Sequence, residues 1–124
     1  MIQRRLALTV VLCCTALGFT SAQVSIAKTS TDQYDVVMFE KAQQALSKSN
    51  FADARTILNA LIDNHPNSDF APRAKLSIAD SWYSEHAFKQ AEAEYRDFVT
   101  FFPDRPEVAE AQRRINSIHK DTRF

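Results

Sequence analysis

Glycine is almost absent from this chain of 124 residues, which contains only Gly18. Cysteine is nearly as rare, because Cys13 and Cys14 are the only two. All three lie within the first twenty positions. The rest of the chain therefore has no P-loop, glycine-rich dinucleotide loop or G-x-S-x-G nucleophile elbow, each of which needs glycine where the backbone meets a ligand. The same absence excludes a disulfide scaffold, a thiolate zinc site and a cysteine nucleophile there.

The beginning of the chain has the pattern of an export signal. An arginine pair at residues 4–5 precedes an uncharged apolar run at residues 6–19, and small residues follow it. The run is shorter than the about 20 residues that span a bilayer. The alternative is a lipoprotein signal in which Cys13 or Cys14 carries the lipid, although neither follows the small residue that such a site requires.

Three segments follow from the composition. We expect a signal peptide over residues 1–22, a polar flexible tether over residues 23–33 and one folded region over residues 34–124. The whole chain has 15 basic and 15 acidic residues, so loss of the signal leaves a small negative excess without a basic stripe. Nucleic acid is therefore not an expected partner. The leader predicts an exported protein, which would contact a membrane only if Cys13 or Cys14 carries a lipid anchor.

A repeat with a period of 37 residues organises the folded region. The matched pairs are Ala42 and Ala79, Ser47 and Ser84, Phe51 and Phe88, Ala54 and Ala91, and Pro66 and Pro103. Self-similarity of this length is typical of stacked supersecondary units. We place the repeats at residues 34–66 and 67–103, with a partial third repeat at residues 104–124.

Each complete repeat carries two apolar stripes at helical spacing. In the second repeat they are Ala71, Ala74, Ile78 and Trp82, then Phe88, Ala91, Tyr95, Phe98 and Phe102. No stretch alternates long enough to predict a strand. The fold is therefore predicted to be all-α, a solenoid of helical hairpins with two helix pairs and one unpaired C-terminal helix. Since such a helix lacks the neighbour that would cover it, we expect the sequence to be a fragment of a longer array.

Polar residues and proline predict the helix ends. Asn50 and Asp53 form a capping-box pattern at the start of one helix, which ends at Pro66. Asp104 is the expected N-cap of the last helix, with Glu107 at the capping-box position.

The repeated positions resemble the tetratricopeptide repeat. The small residue of the first helix falls on Ala42 and Ala79, the aromatic residue of the second on Phe51 and Phe88, its alanine on Ala54 and Ala91, and the closing proline on Pro66 and Pro103. Two features depart from the pattern. Lys41 occupies a leucine position, and Ser49 and His86 replace the glycine usual before the second helix.

Two longer stretches, residues 45–83 and 91–112, resemble the BamD family of periplasmic lipoproteins, which belong to the machine that assembles outer-membrane β-barrels. The resemblance covers about the first half of that family's usual length. The phrase HPNSDFAPRA at residues 65–74 is also similar to the CpoB proteins of the Tol-Pal envelope system. The segments SIADSWY and YRDFVTFFP favour BamD.

The resemblance implies a non-catalytic scaffold without a cofactor. It would bind extended or helical segments of outer-membrane proteins or assembly-machine subunits in a concave groove; the alternative is a CpoB-like Tol-Pal adaptor. The first helix of each repeat would line the groove. Carried over by repeat position, the lining would be Val36, Phe39, Gln43, Leu46, Arg73, Leu76, Asp80, Tyr83, Arg113, Ser117 and Lys120.

Two aromatic pairs allow a ligand-binding or a structural interpretation. Trp82 and Tyr83 could form an aromatic pocket, but we predict that Trp82 packs between repeats and only Tyr83 faces the groove. Phe101 and Phe102 could form an exposed patch. We predict instead that Phe102 completes the apolar stripe and Phe101 covers the loop between repeats.

Neither the histidines nor the carboxylates have the pattern of a metal site or a catalytic site. His65, His86 and His119 lie at loops or helix ends without an H-E-x-x-H motif, so no metal site is predicted. The charged residues between 92 and 97 share a helix whose apolar face must point inward. They are therefore expected on a solvated outer face, away from any catalytic cleft.

Overall fold

Five helices, and no strand, make up the described part of the chain, which in this computed structural model is residues 31–123. They are α1 over residues 31–47, α2 over Phe51–Asn64, α3 over Ala71–Ser84, α4 over Phe88–Phe101 and α5 over Val108–Asp121. The predicted all-α class, with two helix pairs and one further helix, is confirmed.

The chain divides into two compact units, Met1–Tyr34 and Asp35–Phe124. Of the first unit the structure describes only residues 31–34, which are helical. Residues 31–33 were expected to belong to the tether. The predicted signal peptide, the cysteines proposed for lipidation and the rest of the tether lie outside the described residues.

Helices that follow one another along the chain pack together, α2 on α3, α3 on α4 and α4 on α5. Their apolar stripes form two cores. The first contains Phe39, Ala42, Leu58, Leu61, Ala74 and Ile78, and the second Ala79, Ala91, Tyr95, Phe98, Ala111, Ile115 and Ile118. The repeated alanines are fully buried, since a small side chain lets paired helices approach closely.

Trp82 packs against both cores, which confirms its predicted position between repeats. The guanidinium of Arg55 lies 3.6 Å from the centroid of the Trp82 ring. The same group donates hydrogen bonds to Ser81 Oγ at 3.1 Å and to a carboxylate oxygen of Glu85 at 2.5 Å. Arg55 thereby ties α2 to the end of α3.

The turns inside the two helix pairs have the same backbone geometry. Ser49 and His86 both have φ of 59°, in the left-handed region that glycine adopts most readily. The N–H of Ser49 donates to the carbonyl of Leu46 at 2.9 Å, and the N–H of the next residue donates to that of Ala45 at 2.9 Å. His86 and the residue after it repeat this pattern. Both turns are therefore Schellman motifs, formed without glycine.

The two connections between repeats also have the same backbone hydrogen bonds, and their geometry shows that one predicted N-cap is wrong. Before α3, the N–H of Ser68 donates to His65 and that of Ala71 to Ser68; the same bonds recur 37 positions later, before α5. Asp104 lies inside the first of these turns and is not the N-cap, because α5 begins only at Val108. The prediction ignored the two turns that lengthen the repeat.

The capping-box prediction at α2 is half right. Asn50 occupies the N-cap position, but its side chain makes no hydrogen bond to the helix backbone. Its amide nitrogen donates instead to the carboxylate of Asp53 at 2.5 Å. Glu107, at the N-cap of α5, likewise makes no side-chain cap.

The two phenylalanines at the end of α4 differ in exposure. Phe102 is half-buried and its ring centroid lies 5.5 Å from that of Phe98, as the apolar stripe predicts. Phe101 is 69% exposed, so the prediction that it covers a loop is wrong and the alternative of an exposed apolar surface holds for it.

Candidate functional site

A cleft between α1 and α3, with an empty volume of about 600 Å³, brings together four predicted groove residues. They are Phe39 and Gln43 from α1 and Arg73 and Leu76 from α3. Ser77 and Glu107 complete its lining. We call this space the α1–α3 cleft. Because Glu107 immediately precedes α5, residues at the first helices of all three repeats contribute to one concavity.

Contacts across the α1–α3 cleft hold its polar side chains in place. Gln43 Nε2 donates a hydrogen bond to Ser77 Oγ at 3.2 Å. The guanidinium of Arg73 lies 4.9 Å from the ring centroid of Phe39 and 5.8 Å from that of Phe70. The two rings themselves are 5.4 Å apart. Arg73 is exposed, so stacking orients its planar group while its N–H donors stay available.

A second cluster surrounds Asp80 and Tyr83, two further residues predicted to line the groove. The buried Tyr95 donates a hydrogen bond from its hydroxyl to the carboxylate of Asp80. Burial, followed by this hydrogen bond and the charge of Asp80, raises the pKa of Tyr95 well above its usual 10. The guanidinium of Arg114 lies 4.9 Å from the ring centroid of Tyr83. The Tyr95 hydroxyl therefore keeps its proton and holds the Asp80 carboxylate in place through the hydrogen bond.

The other predicted groove residues lie elsewhere. Val36 is exposed on α1, and Leu46 is half-buried near its end. Arg113 is exposed and forms an ion pair with Glu110, one turn earlier on α5. Ser117 is half-buried and Lys120 exposed. None of these five lines the α1–α3 cleft.

Four residues of these two clusters were not predicted from the sequence, and they occupy two positions of the repeat. Ser77 and Arg114 are 37 residues apart, and so are Phe70 and Glu107. Once one residue of such a pair is known, the 37-residue period identifies the other. The predicted groove lining used only the repeat positions that the resemblance supplied, and these two positions are not among them.

Two histidines make unpredicted contacts. His65, which follows the last residue of α2, pairs through Nδ1 with the buried carboxylate of Asp35 in α1. His119 Nε2 lies 2.8 Å from a carboxylate oxygen of Glu92. The hydrogen bond from His119 lowers the pKa of Glu92 below its usual value. Among residues 31–123 no group of three or more histidine, cysteine or acidic side chains could hold a metal ion.

The paired helices, their 37-residue period and a cleft lined by the first helices define a tetratricopeptide-type helical-repeat protein. Residues 31–113 match the YfiO family, described as outer membrane lipoproteins. This match covers well over half of the chain, which therefore belongs to that family. No curated protein matches the chain. In the part that the structure describes, none of the helices has the length and apolarity needed to cross a membrane.

Proposed function

We propose that this chain is a non-catalytic periplasmic scaffold in the assembly of outer-membrane β-barrel proteins. Its α1–α3 cleft binds extended or helical segments of client or partner proteins. The observation that carries the proposal is the convergence of Phe39, Gln43, Arg73 and Leu76 on one concavity. Membership of an outer-membrane lipoprotein family supports the cellular context.

The lining suits a polypeptide. Leu76, which is half-buried, offers apolar surface to a side chain of the bound segment, and the buried ring of Phe39 supports the guanidinium of Arg73 from below. The Arg73 guanidinium donates to backbone carbonyls or carboxylates, and Gln43, whose amide nitrogen is used by Ser77, keeps its carbonyl oxygen as an acceptor for a backbone N–H. Apolar pockets for alternate side chains with polar groups for the main chain are typical of peptide-recognition grooves.

The family match also supports a role in β-barrel assembly over the Tol-Pal adaptor role. The phrase HPNSDFAPRA, on which the adaptor alternative depends, forms the connection between repeats. Its last residues include Ala71 and Pro72, which are buried at the start of α3. The phrase therefore has a packing role that does not distinguish the two families.

A titration tests the proposal. Synthetic peptides from outer-membrane β-barrel proteins are added to the full ¹⁵N-labelled chain while its amide resonances are recorded. Binding in the cleft shifts the side-chain amide of Gln43 and the backbone amide of Ser77. Arg73→Ala weakens binding about tenfold, the effect of losing one charged hydrogen bond of about 1.5 kcal/mol.

Arg96→Ala is the matched control, because Arg96 is exposed on α4 and pairs with Glu92 away from the cleft. It leaves the affinity unchanged. Equal weakening by the two substitutions, or shifts confined to α2 and α4, contradicts peptide binding in the α1–α3 cleft.

A further inference from the structure

A second cavity, with an empty volume of about 820 Å³, opens where the C-terminal ends of α2 and α4 meet the start of α3. Its apolar walls are Ile62, Pro66, Phe101 and Phe102. Asp63 and Asn59 stand beside them. We call this surface the Phe101 pocket. It shares no residue with the α1–α3 cleft, since the second helices contribute most of it.

The exposure of Phe101 is unusual for this chain. It is 69% exposed, more than any other exposed large apolar side chain in the described residues. Aromatic side chains at the edge of a concavity are enriched in protein interfaces, where a few of them supply most of the binding energy. An apolar pocket beside a ring that water surrounds therefore indicates a docking surface.

The charged residues that line the Phe101 pocket are Asp63 and Lys75. Lys75 is its one lining cation, and its Nζ lies 2.7 Å from Glu94 and 3.7 Å from Asp97. A single positive charge is thus shared by two carboxylates. Asp63 is exposed and has no ion-pair partner among residues 31–123. Glu94 and Asp97 do not line the pocket, but because they share Lys75, Asp63 is left as the uncompensated charge of the lining.

We infer that the Phe101 pocket docks a segment of another protein that presents a large apolar side chain next to a lysine or arginine. The apolar side chain lies against Phe101, Pro66 and Ile62. The neighbouring cation reaches Asp63 at the rim. Charge complementarity selects this occupant, because a basic segment compensates the exposed carboxylate of Asp63 and an acidic segment would bring like charge to it.

A second copy of this chain fits less well. A two-fold dimer would place the same patch against itself and would offer Asp63 only Lys75 as a cation, which Glu94 and Asp97 already share. Such a dimer therefore lacks the charge complementarity that a basic segment provides. The occupant is therefore a different polypeptide.

Two blocked peptides test the inference on the full chain. One is acetyl-Lys-Leu-Phe-Lys-Lys-amide, and its matched control has glutamate in place of every lysine. The basic peptide shifts the amide resonances of Ile62, Ala71 and Phe101 and leaves those of Gln43 and Ser77 in place. The acidic peptide shifts neither set.

Substitutions assign the contacts. Phe101→Ser removes the exposed ring and weakens the basic peptide at least about tenfold, as for an interface anchor. Asp63→Asn removes one rim charge and weakens it about two- to fivefold, an effect that high salt also produces. Because both side chains are exposed, both variants keep the far-ultraviolet circular dichroism of the folded chain. Arg73→Ala leaves this binding unchanged, which separates the pocket from the α1–α3 cleft.

Three outcomes overturn the inference. The two peptides could bind equally well, in which case charge selects nothing. The Phe101→Ser variant could bind as well as the unmodified chain. Amide shifts around Phe101 could depend on protein concentration without peptide, which would make a second copy the occupant.

Discussion

The side chains of Gln43 and Ser77 join the first helices of two successive repeats, with Gln43 Nε2 donating to Ser77 Oγ at 3.2 Å. The two residues are 34 positions apart, three fewer than the period, so the contact joins different repeat positions. Both line the α1–α3 cleft, together with Phe39, Arg73 and Leu76. The bond therefore bridges the two walls of the proposed binding surface.

A double-mutant cycle tests this contact. We expect Gln43→Ala and Ser77→Ala to show a coupling of about 0.5–1 kcal/mol in the free energy of unfolding, the usual contribution of a neutral hydrogen bond. Urea denaturation of the two single variants and the double variant measures it. The pair Thr56→Ala and Ser77→Ala is the control, since Thr56 donates to its own helix, and its effects add. Additive effects for Gln43 and Ser77 as well would show that the bond contributes nothing.

Glycine at the two left-handed positions stabilises the fold. Ser49→Gly and His86→Gly each raise the free energy of unfolding by about 0.5–1 kcal/mol, because relief of the left-handed conformation exceeds the entropy gained by the unfolded chain. Thr56→Gly, at an exposed position within α2, destabilises instead. Thermal unfolding followed by circular dichroism measures all three. A loss of stability in both turn variants would contradict the φ of 59°.

Arg55 is predicted to hold the repeats together. Arg55→Ala loses the stacking on Trp82 and the bonds to Ser81 and Glu85, and we expect a cost of about 1–2 kcal/mol in stability. Arg55→Lys restores only part of it, since an ammonium group cannot stack and bond in the same plane. Arg113→Ala, which removes an exposed arginine on α5, changes stability by less than about 0.5 kcal/mol. Equal costs for both arginines would contradict the role given to Arg55.

The raised pKa of Tyr95 predicts that the folded chain loses stability at alkaline pH. The pKa of Tyr95 is raised in the folded chain. Its contribution to the free energy of unfolding is therefore complete below the usual value of 10, and it is lost as the pH rises towards the folded pKa. The unfolded chain releases the phenolic proton more readily there, and the free energy of unfolding falls above pH 10. Urea denaturation across this range shows a shallower fall for Tyr95→Phe than for the unmodified chain. The other tyrosines remain in both proteins and act as the internal control. Identical slopes would contradict the burial of Tyr95.

The fold was largely predictable because the sequence repeats itself. Apolar residues at helical spacing predicted all five helices, and paired alanines marked where helices approach. The cap at Asp104 was misplaced because two consecutive turns, formed by backbone hydrogen bonds, precede α5. Nothing in the side-chain pattern distinguishes a turn residue of that kind from an N-cap.

The cleft was predictable only in part. Phe39, Gln43, Arg73 and Leu76 converge there, and all four came from repeat positions. Arg113 and Arg114 differ by one position, about 100° around the helix axis. That rotation gives Arg114 the contact with Tyr83 and leaves Arg113 exposed. The pairing of Asp35 with His65 joins the two ends of a repeat, which local patterns do not relate.

Site-directed photo-crosslinking in the periplasm tests the central claim most directly. A photoreactive amino acid replaces Leu76 in the α1–α3 cleft or Lys89, an exposed residue of α4, and mass spectrometry identifies the adducts. The proposed function predicts adducts with outer-membrane β-barrel precursors at Leu76 and none at Lys89. Adducts of equal yield at both positions, or none with β-barrel precursors at Leu76, would contradict it.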